Sequence, residues 1–387
     1  MATFDDIRPF NDSEVPAVIA RLLDDRELQN SIAMLQLGTM HRFLPSLART
    51  LVRFALRRQF GQIEDVAAFQ AVVDGYMERM VAATTDGFSL SGLEELTVGQ
   101  PYLLISNHRD ITMDPAFTSW GLHRNGHTTA RIAIGDNLLS RPFVSDLMRL
   151  NKSFVVNRSA KAPRQILAAL RNLSKYIRHS LLEEHESVWI AQREGRAKDG
   201  CDKTEPSIIK MLSMSMDKHT QTLAEHVTSL AIVPVAVSYE LDPCDSLKAR
   251  ELYETALHGN YDKDEGEDIS SIAMGIEGKK GKVHVAFGEP LKKDYQSPEE
   301  VAADLDAQIL RNYHLFPSNF IAYQISTGTL PDIVLPGESE VFRLEDHREE
   351  QERFERRLAA IPEPHRPYLL RIYANPVLAK IGLIQSQ

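Results

Sequence analysis

"LLISNHRDITMDPAF", residues 103–117, passes from four residues of an apolar run into a polar tip within a single turn of chain. A short apolar run closed by polar residues reads as a buried strand. The polar tip then falls where open α/β sheets gather their chemistry, outside the carboxyl ends of the strands. His108 stands at that tip with two carboxylates nearby, Asp110 and Asp114. A carboxylate beside an imidazole fixes its tautomer and stabilises the imidazolium, the pairing of a general base with its orienter. Asp114-Pro115 also reads as a helix entry, with Asp as N-cap and Pro at the first helical position. The competing reading is a loop histidine bonded to nearby backbone.

Outward from this stretch, further short apolar runs appear: "YLLIS" (102–106), "ARIAIG" (130–135), "SFVV" (153–156), "SVWIA" (187–191), "AIVPVAVSY" (231–239) and "KVHVAF" (282–287). Segments of helical length separate most of them, which predicts βαβ units. The expected fold class is α/β, a mixed, mostly parallel sheet flanked by helices. Pro234 suggests a strand start, an edge or a bulge at its position. The first ninety residues show apolar spacings of three and four and predict helices, as do "HREEQERFERRLAAI" and "RPYLLRIYANPVLAKIGL" near the end. The expected organisation is a helical N-terminal domain (1–90), an α/β domain (91–330) and a C-terminal helical extension (331–387). The acidic "DKDEGED" (262–268) reads as a solvated loop.

The chain has 387 residues and a net charge of −10, which excludes a general nucleic-acid binder. Two cysteines, Cys201 and Cys244, are too few for a disulfide framework or a thiolate metal site. No His-x-x-x-His or cysteine pair beside His108 supplies the second and third convergent ligands of a metal site, so no metal is expected, and no bound organic cofactor is implied either. The start shows no secretory pattern, and no run of 18 apolar residues would span a bilayer. A cytoplasmic location is therefore expected, with visits to the inner face of the membrane. "HRD" also occurs in protein-kinase catalytic loops, but these need Asn five residues after the Asp, where this chain has Pro115.

Read together, four blocks resemble those of the glycerolipid acyltransferases, the group of glycerol-3-phosphate and lysophosphatidate acyltransferases. "SNHRDITMDPAF" is similar to their Asn-His…Asp signature, although five residues rather than the usual four separate His108 from Asp114. "KSFVVNRSA" resembles the second block and places its arginine at Arg158. "VWIAQREGRAKDG" resembles the Glu-Gly-x-Arg block, matched by Glu194, Gly195 and Arg196, with Arg193 where the family has proline or glycine. "IVPVAVSYE" is similar to the fourth, its "YE" ending leaning toward the glycerol-3-phosphate branch. "GKVHVAFGEPL" resembles the strand and turn that often follow.

The resemblance implies acyl transfer from a thioester, acyl-CoA or an acyl-carrier protein, to a phosphorylated glycerol in phospholipid synthesis. His108 would be the base, with Asp114 or else Asp110 orienting it. Arg158 and Arg196 would bind phosphate. Asn107, Arg109, Arg193, Glu194, Gly195 and Lys198 would line or shape the same mouth. The alternatives are a lysophosphatidate or other lysophospholipid acyltransferase, and a non-catalytic lipid- or acyl-carrier-binding relative. No Gly-x-Ser-x-Gly nucleophile motif is present, which favours direct transfer over an acyl-enzyme. Two basic stripes bear on partners. Arg171, Lys175 and Arg178 share a helix face that could meet an acidic carrier protein or a coenzyme A phosphate, or simply face solvent. Arg49, Arg53 and Arg57 share another, with Leu47, Leu51 and Phe54 either on a membrane interface or facing a core. The terminal "YLLRIYANPVLAKIGL" raises the same choice.

Overall fold

A computed structural model describes residues 4–264, 266–332, 334 and 341–385. The parts of the expected N-terminal domain, acidic loop and C-terminal extension at 1–3, 265, 333, 335–340, 386 and 387 lie outside the described residues.

In chain order the strands are β1 (Thr85–Ser91), β2 (Leu103–Ser106), β3 (Arg131–Gly135), β4 (Ser153–Val156), β5 (Val188–Ala191), β6 (Ile232–Tyr239) and β7 (Gly281–Phe287). The helices are α1 (Val15–Asp24), α2 (Arg26–Phe43), α3 (Pro45–Phe60), α4 (Val66–Thr84), α5 (Met113–Arg124), α6 (Pro142–Leu150), α7 (Pro163–Leu182) and α8 (Pro206–Leu212). They continue with α9 (Leu223–Ser229), α10 (Asp245–His258), α11 (Glu267–Glu277), α12 (Pro298–Asn312), α13 (Pro317–Thr327), α14 (Arg348–Ala359) and α15 (Arg366–Gln385).

The chain divides into two units, Met1–Glu78 with Arg131–Tyr176, and Arg79–Ala130 with Ile177–Gln387, so their boundaries fall inside α4 and α7. In the first unit, Val15, Val18, Ile19, Leu22 and Leu23 of α1 pack with Ile63, Phe69 and Leu150 as one core. A smaller seam joins Ala33 of α2 to Ala48 and Val52 of α3. β3 and β4 are parallel neighbours in this unit.

In the second unit, strand neighbours run β1-β7-β6-β2-β5. Every pairing is parallel except β6 with β7. All four residues of β2 and all eight of β6 are buried, as expected where helices cover both faces of a parallel sheet. Leu369, Ile372 and Tyr373 of α15 join Leu241, Ile321 and Phe354 in a core, so the terminal apolar helix packs against protein.

Two sequence expectations change. β1, "TDGFSLS", begins within the stretch expected to be helical; Phe88 and Leu90 are its only large apolar residues, so the apolar pattern is faint. Pro234 lies in the interior of a strand paired on both sides, neither an edge nor a bulge. It is tolerated there because the β6–β7 register starts only at Val235↔Phe287. Its missing N–H faces that side, and its carbonyl still accepts from the Gly288 amide at 2.8 Å.

Candidate active site

The polar tip after β2 is held before any ligand arrives. Asn107 is fully buried, and its amide pairs with the Val237 backbone as another strand would. Its Oδ1 accepts from Val237 N at 2.8 Å, and its Nδ2 donates to Val237 O at 3.0 Å and to Asp202 Oδ2 at 3.3 Å. This ties the end of β2 to β6 and leaves Asn107 without a spare donor.

His108 follows, its Nδ1 3.0 Å from Asp114 Oδ2. Its ring stands edge-on to Trp189, centroids 6.0 Å apart, and its carbonyl accepts from Ala197 N at 2.7 Å. An ionised carboxylate only accepts, so Nδ1 carries the proton and Nε2 presents its lone pair. Nε2 has no hydrogen-bond partner among the described residues, and the side chain keeps 15% of its surface exposed. The imidazole is thus aimed on one side and open on the other.

Asp114 is fully buried and carries the convergence. Besides His108, its Oδ2 accepts from the amides of Arg109 at 2.6 Å and Asp110 at 2.9 Å. Its Oδ1 accepts from the Tyr239 hydroxyl at 2.7 Å. Burial, then the neighbouring Asp114 charge, pushes the Tyr239 hydroxyl well above its ordinary pKa, which keeps it a donor.

Asp114 is not the helix cap expected from Asp-Pro. α5 begins two residues earlier than that, at Met113, with Thr112 in the capping position and no cap bond from its side chain. The first-turn amides are taken by Asp110, whose Oδ1 accepts from Thr112 N at 2.9 Å and Met113 N at 2.8 Å. Asp110 therefore does the capping work, which leaves Asp114 to face the imidazole. The other oxygen of Asp110 is buried without a partner. Burial, then the Asp114 charge, raises the Asp110 pKa. Asp110 fits only because α11 has a glycine there: a Cβ at Gly275 would lie 2.3 Å from Asp110 Oδ2.

Arg109 points inward. Its Nη2 donates to Asp202 Oδ2 at 2.6 Å and Gly200 O at 3.1 Å, with the guanidinium 5.3 Å from the Tyr313 ring centre. Its carbonyl accepts from Lys248 Nζ at 2.7 Å, and Lys248 pairs with Asp242. Burial raises the Asp242 pKa, but the Lys248 charge and hydrogen bond outweigh it and hold the carboxyl below its usual range.

The chain beyond β5 returns to the same loop. Gly195, at φ +75, takes the left-handed turn that a side chain would resist. Two residues later Ala197 bonds His108. Glu194 and Gly195 are exposed and Arg196 is half-buried. Arg196 Nη2 reaches Ser271 Oγ at 3.4 Å, while Nη1 is buried without a partner. Lys198 pairs with Glu251, and Arg193 Nε sits 4.0 Å from Glu205 Oε1.

The structure therefore brings Asn107, His108, Arg109, Asp110, Asp114 and the 194–198 turn together at the ends of β2 and β5. Arg158 belongs to the other unit. There its backbone N–H donates to Asp136 Oδ1 at 3.1 Å, and its side chain lies over Gly135. Residues the sequence reading did not single out are Tyr239, Trp189, Asp202, Asp242 and Lys248. Tyr239 had a signal, since it ends the fourth block. Asp202 and Lys248 reach Arg109 from far along the chain, and Asp242 pairs with Lys248 there, so these three had none.

No curated protein matches the sequence. Among solved structures, the chain is similar to the 1-acyl-sn-glycerophosphate (LPA) acyltransferase PlsC from Thermotoga maritima. The two share 15% identity over 74% of this chain and 95% of that one, with a TM-score of 0.39. Residues 87–238, from β1 into β6, match the acyltransferase family model, and the tip of β2 and the 194–198 turn lie within the matched residues.

Proposed function

We propose that the chain transfers a fatty acyl group from a thioester, acyl-CoA or an acyl-carrier protein, to a hydroxyl of glycerol-3-phosphate in phospholipid synthesis. The observation that carries this reading is the His108–Asp114 pair, with Nδ1 bonded and Nε2 open. Nε2 takes the acceptor hydroxyl's proton as its oxygen attacks the thioester carbonyl. The new C–O bond forms, the tetrahedral intermediate collapses with loss of the C–S bond, and the proton passes from His108 to the leaving thiolate. Asp114 steadies the imidazolium between these steps. Asp110 shapes the loop through its bonds to α5.

Arg196 has a donor to spare beside this loop, and we assign it to the acceptor phosphate; Arg158 keeps the phosphate role that its sequence block implies. Asn107 and Arg109 act through the loop they fix, and Glu194, Gly195 and Lys198 shape the turn that carries Arg196. We assign the chemistry to the 91–330 segment, between a helical N-terminal domain (1–90) and a C-terminal extension (331–387). The enzyme works in the cytoplasm, peripherally on the inner face of the membrane.

The test is an acyl-transfer assay with labelled acyl-CoA or acyl-carrier-protein thioester and each acceptor in turn. Thiol release dependent on glycerol-3-phosphate is the expected result. Release with lysophosphatidate alone moves the assignment to that acceptor. No release with either, with acyl chains still bound, removes the enzyme reading.

A further inference from the structure

α14 and α15 come after every sequence block that carries the acyltransferase resemblance, yet both send bonds back toward the histidine loop. One route starts at Arg357 of α14. Its Nη2 donates to Asp242 O at 2.6 Å and to Asp245 Oδ1 at 2.9 Å, and its Nε donates to Asp245 Oδ2. The hydroxyl of Tyr373, on α15, donates to Asp245 Oδ2 at 2.6 Å and accepts from Asp242 N at 2.9 Å. The backbone N–H and C=O of Asp242 are thus both held from the C-terminal extension. Its carboxylate holds Lys248, which donates to Arg109 O at 2.7 Å.

The other route passes through residues 199–202. Asn375 Nδ2 of α15 donates to Asp199 O at 2.7 Å. Gly200 lies so close to the same helix that a Cβ there would sit 2.3 Å from Ile372 O. Gly200 O and Asp202 Oδ2 in turn take the Arg109 guanidinium, at 3.1 and 2.6 Å. Arg109 is therefore held at its carbonyl by one route and at its side chain by the other. Its backbone N–H donates at 2.6 Å to Asp114 Oδ2, the oxygen that faces His108 Nδ1. Arg109, Asp242, Asp245, Lys248 and Tyr373 are all buried, so a group that loses its partner here has no water to replace it. Anchoring α14 would need only the ion pair with Asp245. The added bond to Asp242 O and the shared Tyr373 hydroxyl pass the constraint on to the residue that aims Lys248.

We infer that Arg357 and Asn375 are positioning residues for the acyl transfer proposed above: the C-terminal extension seats Arg109, and through it the Asp114 carboxylate that aims His108. The kinetic effect rests on that reading, whereas the link from extension to loop is measurable without turnover.

The test compares wild type with three full-length variants. Arg357→Gln should lower kcat about tenfold while the KM of donor and acceptor stay within about twofold, because a displaced catalytic group costs rate rather than binding. Asn375→Ala removes one bond and leaves the ion pairs, and should lower kcat about threefold in the same pattern. Leu369→Ala opens a cavity in the core that α15 shares, and should lower the melting temperature with kcat unchanged at temperatures below it. Hydrogen exchange read by mass spectrometry should show the 107–114 amides exchanging about fivefold faster or more in Arg357→Gln, with α12 unchanged. A raised KM with unchanged kcat, an unchanged kcat at both positions, or an equal loss of kcat in Leu369→Ala overturns the inference. Should Arg357→Gln fail to fold, the kinetics and exchange of Asn375→Ala decide. If wild type releases no thiol, the acyl-transfer reading fails and exchange alone decides: faster 107–114 amides sustain the link, and unaltered ones overturn it.

Discussion

The Tyr239 hydroxyl donates to Asp114 Oδ1 at 2.7 Å, while the other oxygen of that carboxylate faces His108 Nδ1 at 3.0 Å. The third strand element of the site, β6, thereby fixes the orientation of a carboxylate carried by α5. Tyr239→Phe should lower kcat about tenfold with little change in KM, because the imidazole's partner loses its own anchor. The melting temperature should fall as well, since a buried carboxylate oxygen short of one bond costs about 1.5–3 kcal/mol. A lower melting temperature with unchanged kcat would reduce Tyr239 to a structural role.

His108→Ala should lower turnover by about 10²–10⁴-fold with the fold retained, followed by thiol release and circular dichroism. Turnover near the wild-type rate would end the base mechanism.

The two aspartates should separate. Asp114→Asn replaces an acceptor that takes His108 Nδ1 and two amides on one oxygen, whereas Asp110→Asn can keep its Oδ1 bonds to Thr112 and Met113. Steady-state kinetics should show the larger loss of kcat at Asp114. The reverse order would hand the orienting role to Asp110.

Arg196→Ala should raise the acceptor KM about tenfold and change kcat less, because phosphate binding precedes and persists through reaction. Arg158→Ala should behave alike. An acceptor KM that does not move at either position takes that arginine out of phosphate binding.

Stability should fall with acid through His314. Burial, then His284, Lys380 and Lys282, pushes its pKa down from 6.5 to about 4. A lowered histidine pKa in the folded state means that protonation favours unfolding. Its contribution is present above pH 6.5 and is lost as pH falls toward 4. His314→Phe keeps the ring beside Phe316 and should flatten the melting temperature over that window. An unchanged slope would assign the acid loss to other groups.

Sequence and structure meet where patterning is strong and part where it is not. All six apolar runs became strands, because a covered parallel sheet demands continuous apolar stretches. β1 escaped notice, since a strand of exposed and half-buried residues shows little periodicity. His108 and both carboxylates were visible as residue types. Which aspartate faces the ring was not, because it depends on where α5 begins, and a shift of two residues exchanges capping and facing. Arg109 had the look of a surface ligand beside the histidine. Only the folded chain, bringing Asp202 and Lys248 to it across about a hundred residues or more of sequence, turns it inward.

The histidine loop is gripped through Asn107 by β6, through His108 by the 194–198 turn, and through Arg109 by α10. Three separate stretches of chain thus hold three consecutive residues in place. On the proposed mechanism, a substrate meeting this loop would find the base already aimed, so little of its binding would have to be spent on ordering the catalyst. The same arrangement makes the site intolerant of piecemeal transplantation. A graft of residues 103–117 into another sheet would carry the histidine and its aspartate, and leave behind the neighbours that make them a pair.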